Sequence, residues 1–203
     1  MKYLKQKVLL LMMLVICTHM IHAQTGKNVD LSKVLKTGDI FVTPSAVQQM
    51  RGSGKPVDLT KLGDKIIIFD FFDTYCGTCI ETMPKLQKLQ EKLKNKVQII
   101  TVSWQDKVTL EKFFKHNEFL KENNVNLPVI YSDVYLKELF PHLTVPHVVF
   151  LYKGKVQAIA GNKVVTEEHI LELYDKGTID LPLKDDFGKG NLMGLSKDDM
   201  QIK

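Results

Sequence analysis

Two cysteines, Cys76 and Cys79, stand three residues apart in the run Cys76-Gly77-Thr78-Cys79. The run directly follows an apolar, strand-like stretch from Ile66 to Phe72 and opens an amphipathic helical pattern. Two thiols at that spacing can close a small, reversible disulfide ring. A thiol at a helix start is near the positive end of the helix dipole and its unpaired N–H groups, which favour thiolate. Thiolate is the species that attacks disulfides. The chemistry suggested is electron exchange through sulfur. Cys76 would be the nucleophile, and Cys79, about a turn further on and more buried, would resolve the mixed disulfide.

Asp70 is the second candidate. It interrupts the apolar run six residues before Cys76. A carboxyl buried alone is costly to ionise, so its pKa should rise toward neutrality. It could then take the proton from Cys79 during resolution. The alternative is a strand-edge aspartate facing solvent. A zinc site built from the two cysteines with His142 and His147 fits ligand spacing only superficially. The strand-turn-helix context favours redox chemistry, so no metal and no other cofactor is expected. No nicotinamide or flavin motif is present, which leaves the two cysteines as the redox centre.

The surrounding elements alternate. Residues 39–64 read as short strands and turns around Pro44, Gly52, Gly54 and Pro56. A buried strand spans 65–72. A helix from about 77 to 94 carries Ile80, Met83, Leu86, Leu89 and Leu93 on one face, with Pro84 inside it as an expected kink. Val97–Trp104 is the next strand, with Trp104 expected to pack at its end. One helix is expected from Thr109 to about Glu122, with Leu110, Phe113, Phe114 and Phe119 as its core set. Leu127–Tyr131 is a short strand and Tyr135–Phe140 a short helix. Val148–Tyr152 and Val156–Ala160 flank Lys153-Gly154-Lys155, a hairpin signal. Thr166 and Gly177 bracket a last helix as N-cap and C-terminal glycine. Alternation calls for parallel pairing with crossovers, and the hairpin adds an antiparallel edge. The expected fold class is α/β, a mixed central sheet with helices on both faces.

The ends read differently. Lys2, Lys5 and Lys7 precede an unbroken apolar run, Val8–Cys17, too short to span a bilayer. Residues 1–23 therefore read as an export signal, with Ala23 at the cleavage site. Ile16, directly before Cys17, is too bulky for a lipoprotein signal, so Cys17 is expected to leave with the leader. Cleavage removes three of 28 basic residues against 23 acidic ones, so the net charge of +5 falls to about +2. With no basic stripe, nucleic acid is not an expected partner. The mature chain keeps only Cys76 and Cys79. A bridge closing so small a ring constrains little chain entropy, so stapling is a weak role for it. Residues 24–38 read as a loose segment, 39–177 as one domain and 178–203 as a tail.

These residues resemble the thioredoxin fold. Phe71-Phe72-Asp73-Thr74-Tyr75-Cys76-Gly77-Thr78-Cys79 resembles the Phe-Trp-Ala-x-Trp-Cys-x-x-Cys signature of that fold. Pro84, Asp70 and Val145-Pro146 match its kinking proline, buried aspartate and cis-proline loop. The Gly38-Asp39 strand segment, the helical insert between 97–104 and 127–131, and the Lys153-Gly154-Lys155 hairpin resemble exported TlpA/ResA-like thiol-disulfide oxidoreductases. Two positions depart from that pattern. Tyr75 replaces the usual Trp, and Thr78 stands where many members have Pro.

The resemblance implies a cis Val145–Pro146 bond facing the cysteines. The Val145 backbone would pair with an extended substrate segment. Tyr75 would offer an apolar docking surface. It also implies a periplasmic or otherwise extracytoplasmic monomer with two partners: disulfide-containing exported proteins and a membrane thiol electron donor. Cytochrome c precursors are possible substrates. Three other readings remain. They are an oxidase or isomerase, a binding module with an inert disulfide, and a peroxidase. Phe72-Asp73-Thr74-Tyr75 lacks the Pro-x-x-x-Thr-x-x-Cys context of the last.

Overall fold

The computed structural model describes residues 32–44, 47–51, 56–184 and 186. The leader at 1–23, Cys17 and the end of the tail at 187–203 lie outside the described residues. Six strands form one mixed sheet: β1 (Gln49–Met50), β2 (Ile66–Phe71), β3 (Val97–Val102), β4 (Val129–Ile130), β5 (His147–Tyr152) and β6 (Lys155–Ala160). Their order is β1-β4-β3-β2-β5-β6. The β2, β3 and β4 strands are parallel, whereas β1, β5 and β6 join antiparallel. The helices are α1 (Gly77–Lys92), α2 (Lys107–His116), α3 (Glu118–Glu122), α4 (Tyr135–Leu139) and α5 (Glu167–Lys176). This is the thioredoxin-like α/β fold.

Every residue of β2 is buried, as expected of a central strand covered on both faces. Its side chains divide by alternation. Ile66 and Ile68 pack with Leu86, Leu89 and Leu93 at the α1 end, and with Ile170 and Leu173 of α5. Ile67, Phe69 and Phe71 face the other way, onto Phe41, Leu59, Leu136 and Phe140. Helices therefore cover both faces, with α1 and α5 on one and α4 on the other. Phe72 returns to the α1 side and packs with Cys79, Met83, Leu110 and Phe114.

The helical insert between β3 and β4 is two helices where one was expected. Asn117 breaks the run at φ −86°, ψ 96°, and its side chain accepts from Leu120 N–H. An asparagine that satisfies the orphan N–H groups of the next turn starts a new helix. The break also shifts the apolar phase. Leu120 is buried, and Phe119, expected in the core, is exposed.

Caps elsewhere follow the residue types. Thr166 accepts from His169 N–H at the α5 start, and Gly177 ends that helix at φ 80°. Pro84 sits buried inside α1 without ending it. Lys153 and Gly154, both at positive φ, make the tight turn of the β5–β6 hairpin. The 39–64 region contains the short β1, a single bridge from Ile40 to Lys155 and a 3-10 turn at Leu59–Lys61.

Both ends of the domain differ from the boundaries expected at 38 and 177. Val34 is already buried, and Leu35 N–H donates to Leu139 O at 2.9 Å. Past Gly177, Ile179 and Leu181 pack on the core beside α5. Lys184 N–H then donates to Ile159 O at 3.1 Å. Apolar side chains at 179 and 181, spaced by two in a charged stretch, are what hold that segment down.

Candidate redox site

The chain leaves β2 with Phe72 N–H donating to Val102 O at 2.9 Å. Asp73 then organises a turn, accepting from Tyr75 N–H at 2.8 Å through its side chain and from Cys76 N–H at 3.3 Å through its carbonyl. The turn delivers Cys76 to the N-cap of α1. There its Sγ accepts from Cys79 N–H at 3.2 Å, with Thr78 Oγ1 3.5 Å away. Cys76 and Cys79 are joined in a disulfide. Cys79 is fully buried and Cys76 half-buried. An N–H already aimed at Sγ would stabilise a thiolate there after reduction, together with the α1 dipole.

Asp70 is fully buried on β2, paired in register with Thr101 and Val148. Neither carboxyl oxygen has a hydrogen-bond partner among the described residues. By alternation it lies between Ile68 and Phe72 on the α1 side, the face that holds Cys79. Burial pushes its pKa up to about 7. A carboxyl so placed is neutral in mild acid and able to exchange a proton near neutrality.

The Val145–Pro146 peptide is cis. Val145 is half-buried and packs against the same cluster as Cys76, Cys79 and Phe72. Tyr75 is 85% exposed, so its ring is free to meet another molecule.

One expectation about a neighbouring residue changes. Trp104 does not pack at a strand end but is 59% exposed. The strand stops at Val102, and the inward turn of Ser103 and Gln105, both buried, leaves Trp104 facing out. His142 and His147 stack with centroids 4.5 Å apart, against Phe71. Phe71 pairs across from His147 and points away from α1, so the histidines and the cysteines occupy opposite faces of the sheet. Burial holds His142 down to about 4 and His147 well below its usual range. Both are neutral packing residues at neutral pH. No group of three or more His, Cys, Asp or Glu among the described residues is arranged to hold a metal.

Three further residues shape the site without a signal in the sequence. Gln105 is buried and holds Thr74 by two hydrogen bonds. Asn162, after β6, donates to Thr82 Oγ1 at 3.0 Å and Thr78 O at 3.4 Å. Thr82 in turn donates to the Thr78 and Cys79 carbonyls. The Gln105 bonds tie the turn before α1, and the Asn162 bonds its first turns, to distant loops. The partners of Gln105 and Asn162 are 31 to 84 residues away in the chain, so no local pattern could have revealed those bonds.

The Redoxin family model matches residues 20–149, more than half of the chain. The chain belongs to the Redoxin family. The match takes in β1 to β4 and runs into β5, including Cys76, Cys79, Asp70 and Pro146. Among curated proteins, this Redoxin chain is 36% identical to Thioredoxin Y, chloroplastic, of Oryza sativa subsp. japonica over 45 residues. That match spans 22% of this chain and 27% of the rice protein.

Solved structures share the fold at low identity. A thioredoxin-like protein in its oxidised form matches at TM-score 0.53 and 18% identity, covering 71% of this chain and 98% of that one. A protein assigned as the thiol:disulfide interchange protein DsbE of Chlorobium tepidum matches at TM-score 0.51 and 19% identity, covering 70% and 97%. The N-terminal domain of PilB from Neisseria gonorrhoeae matches at TM-score 0.51 and 18% identity, covering 66% and 90%. This chain shares the thioredoxin-like fold of these structures, and its Cys76 and Cys79 are joined in a disulfide at the start of α1.

Proposed function

We propose that this protein is an extracytoplasmic dithiol-disulfide reductase of TlpA/ResA type, acting on disulfides of exported proteins. The observation that carries the reading is a half-buried Cys76 at a helix N-cap beside a fully buried Cys79, on the face that holds the unpaired Asp70.

In the proposed cycle the Cys76 thiolate attacks a substrate disulfide. One substrate sulfur leaves as thiolate and takes a proton, and a mixed disulfide remains. Cys79 then loses its proton to the Asp70 carboxylate and attacks Cys76 Sγ. The second substrate sulfur departs as thiolate and takes the proton that Asp70 holds, and the Cys76–Cys79 disulfide forms. The substrate gains two electrons and two protons, and the dithiol loses them. A membrane thiol donor would return the protein to the dithiol state.

Substrate would lie along the Val145 backbone by strand addition, with Tyr75 beside it. Export rests on the basic Lys2, Lys5 and Lys7 followed by Val8–Cys17. Among the described residues no helix is long and apolar enough to cross a membrane. The fold neighbour assigned as a thiol:disulfide interchange protein is compatible with interchange chemistry.

Equilibration in graded thiol buffers tests the direction. A Cys76/Cys79 potential near or below roughly −250 mV, in the range of thioredoxin, supports a reductase. A value above roughly −150 mV, toward DsbA, would make the protein an oxidant. Absence of a reversible two-electron transition would favour a binding module instead.

A further inference from the structure

The loop that leads into Pro146 is held by side chains from beyond the last helix. Asp186 Oδ2 accepts from Leu143 N–H at 3.0 Å and from Thr144 N–H at 3.2 Å. Its Oδ1 accepts from Thr144 Oγ1 at 2.9 Å. Lys184 Nζ donates to the Thr144 carbonyl and, at 2.9 Å, to Asp186 Oδ2. Every polar group of Thr144 is therefore engaged by two residues some 40 positions away in the chain.

The contact is built rather than incidental. The Lys184 and Asp186 side chains are only 14% and 9% exposed, unlike the well-exposed surface pairs elsewhere in the domain. Hydrogen bonds to ionised groups, shielded from water, are stronger and more directional than neutral ones. The segment is anchored on its way there. Ile179 and Leu181 pack on the core, and Lys184 N–H bonds Ile159 O on β6.

Thr144 directly precedes Val145, so the orientation of the Thr144–Val145 peptide is set by this clamp. If Val145 offers its backbone to an extended substrate, then that peptide's orientation determines whether the hydrogen bonds can form. We infer that Lys184 and Asp186 are positioning residues for polypeptide substrates, holding the loop before Pro146 in the register that an extended disulfide-bearing segment requires. The inference rests on the reductase reading above. It separates two functions within the site. Thiol chemistry belongs to Cys76, Cys79 and Asp70, while recognition of a polypeptide depends on the segment after α5.

The test compares two disulfides reduced by the pre-reduced full chain in single-turnover experiments. Insulin presents its disulfides on polypeptide, whereas 2-hydroxyethyl disulfide has no backbone to pair. Asp186→Ala and Lys184→Met should each raise the half-saturating insulin concentration at least fivefold, with the maximal rate within twofold. Neither should change the rate with 2-hydroxyethyl disulfide or the Cys76/Cys79 potential. Lys184→Arg, which keeps a cationic donor, should restore insulin binding to within twofold.

Half-saturation within twofold of the parent in both loss variants would overturn the inference. So would parallel loss on both disulfides, which would mark general damage to the fold. If the parent protein reduced neither disulfide, the reductase reading itself would fall, and this inference with it.

Discussion

Gln105 holds Thr74 from both sides: its Oε1 accepts from Thr74 N–H at 2.8 Å, and its Nε2 donates to Thr74 Oγ1 at 2.9 Å. The two residues are in the turns after adjacent parallel strands, β3 and β2. Thr74 stands two residues before Cys76, so this contact fixes the approach to the N-cap. Replacing Gln105 with Met keeps the bulk and removes both bonds. Burying the Thr74 groups without partners should cost about 1–3 kcal/mol. Denaturant melts should show a lower midpoint at unchanged slope. Cys76, less firmly held at the α1 start, should alkylate several-fold more slowly in the reduced protein.

Cys79→Ser should accumulate a stable mixed disulfide between Cys76 and substrate, because the resolving thiol is gone. Cys76→Ser should trap none, since Cys79 is fully buried. Non-reducing gel electrophoresis after incubation with a disulfide-bearing protein reads both outcomes. Trapping through Cys79 would reverse the assigned roles.

Asp70→Asn should slow resolution of the mixed disulfide by about 10²-fold or more, a typical contribution of a positioned base. The first attack by Cys76 should change far less. Rapid mixing with a fluorescent disulfide separates the two steps. In the parent protein the resolution rate should rise with pH through about 7, where Asp70 ionises. A side-chain amide does not titrate in this range, so that rise should vanish from the variant's profile.

Asp70 also sets the pH dependence of stability. Its folded pKa of about 7 is above the ordinary 3.8. Between those values the folded chain keeps a proton that the unfolded chain has released. Stability therefore falls as pH rises from about 4 to about 7, by at most about 1.4 kcal/mol per pH unit. Above that window the full loss persists. Asp70→Asn should flatten the dependence and be more stable than the parent at pH 8. Thermal melts across that range decide it, and an equally steep slope in the variant would remove Asp70 as the cause.

Gly177→Ala tests the α5 terminus. Gly177 sits at φ 80°, and a Cβ there would meet no heavy atom within 4 Å. The cost is therefore one of backbone conformation, about 1 kcal/mol. Urea melts should show a lower midpoint of that order, with the redox potential unchanged.

Local patterns in the chain determined the parts that depend on neighbours in sequence. Apolar runs and turn residues located five of the six strands to within a few residues, as well as the β5–β6 hairpin. The Thr166 and Gly177 caps bounded α5, because capping acts within one turn. Cys76 and Cys79 were legible because an apolar strand-like run precedes them and an amphipathic helical period follows, which puts the pair at a helix start. The break at Asn117 was missed: an apolar period extends over it, and a side-chain cap competes locally with helix continuation.

Tertiary structure decided whatever depends on which distant segments meet. Asp70 in the sequence fits either a solvent-facing or a buried carboxyl. Its place on the α1 face of a central strand, with no partner among the described residues, settles its burial and its raised pKa. His142 and His147 have ligand-like spacing, yet the alternation of β2 and β5 puts them across the sheet from the cysteines. Gln105, Asn162, Lys184 and Asp186 carried no local signal at all. Each acts by hydrogen bonds that span 31 residues or more, and only packing of the sheet and its connections brings those partners within 3 Å or so.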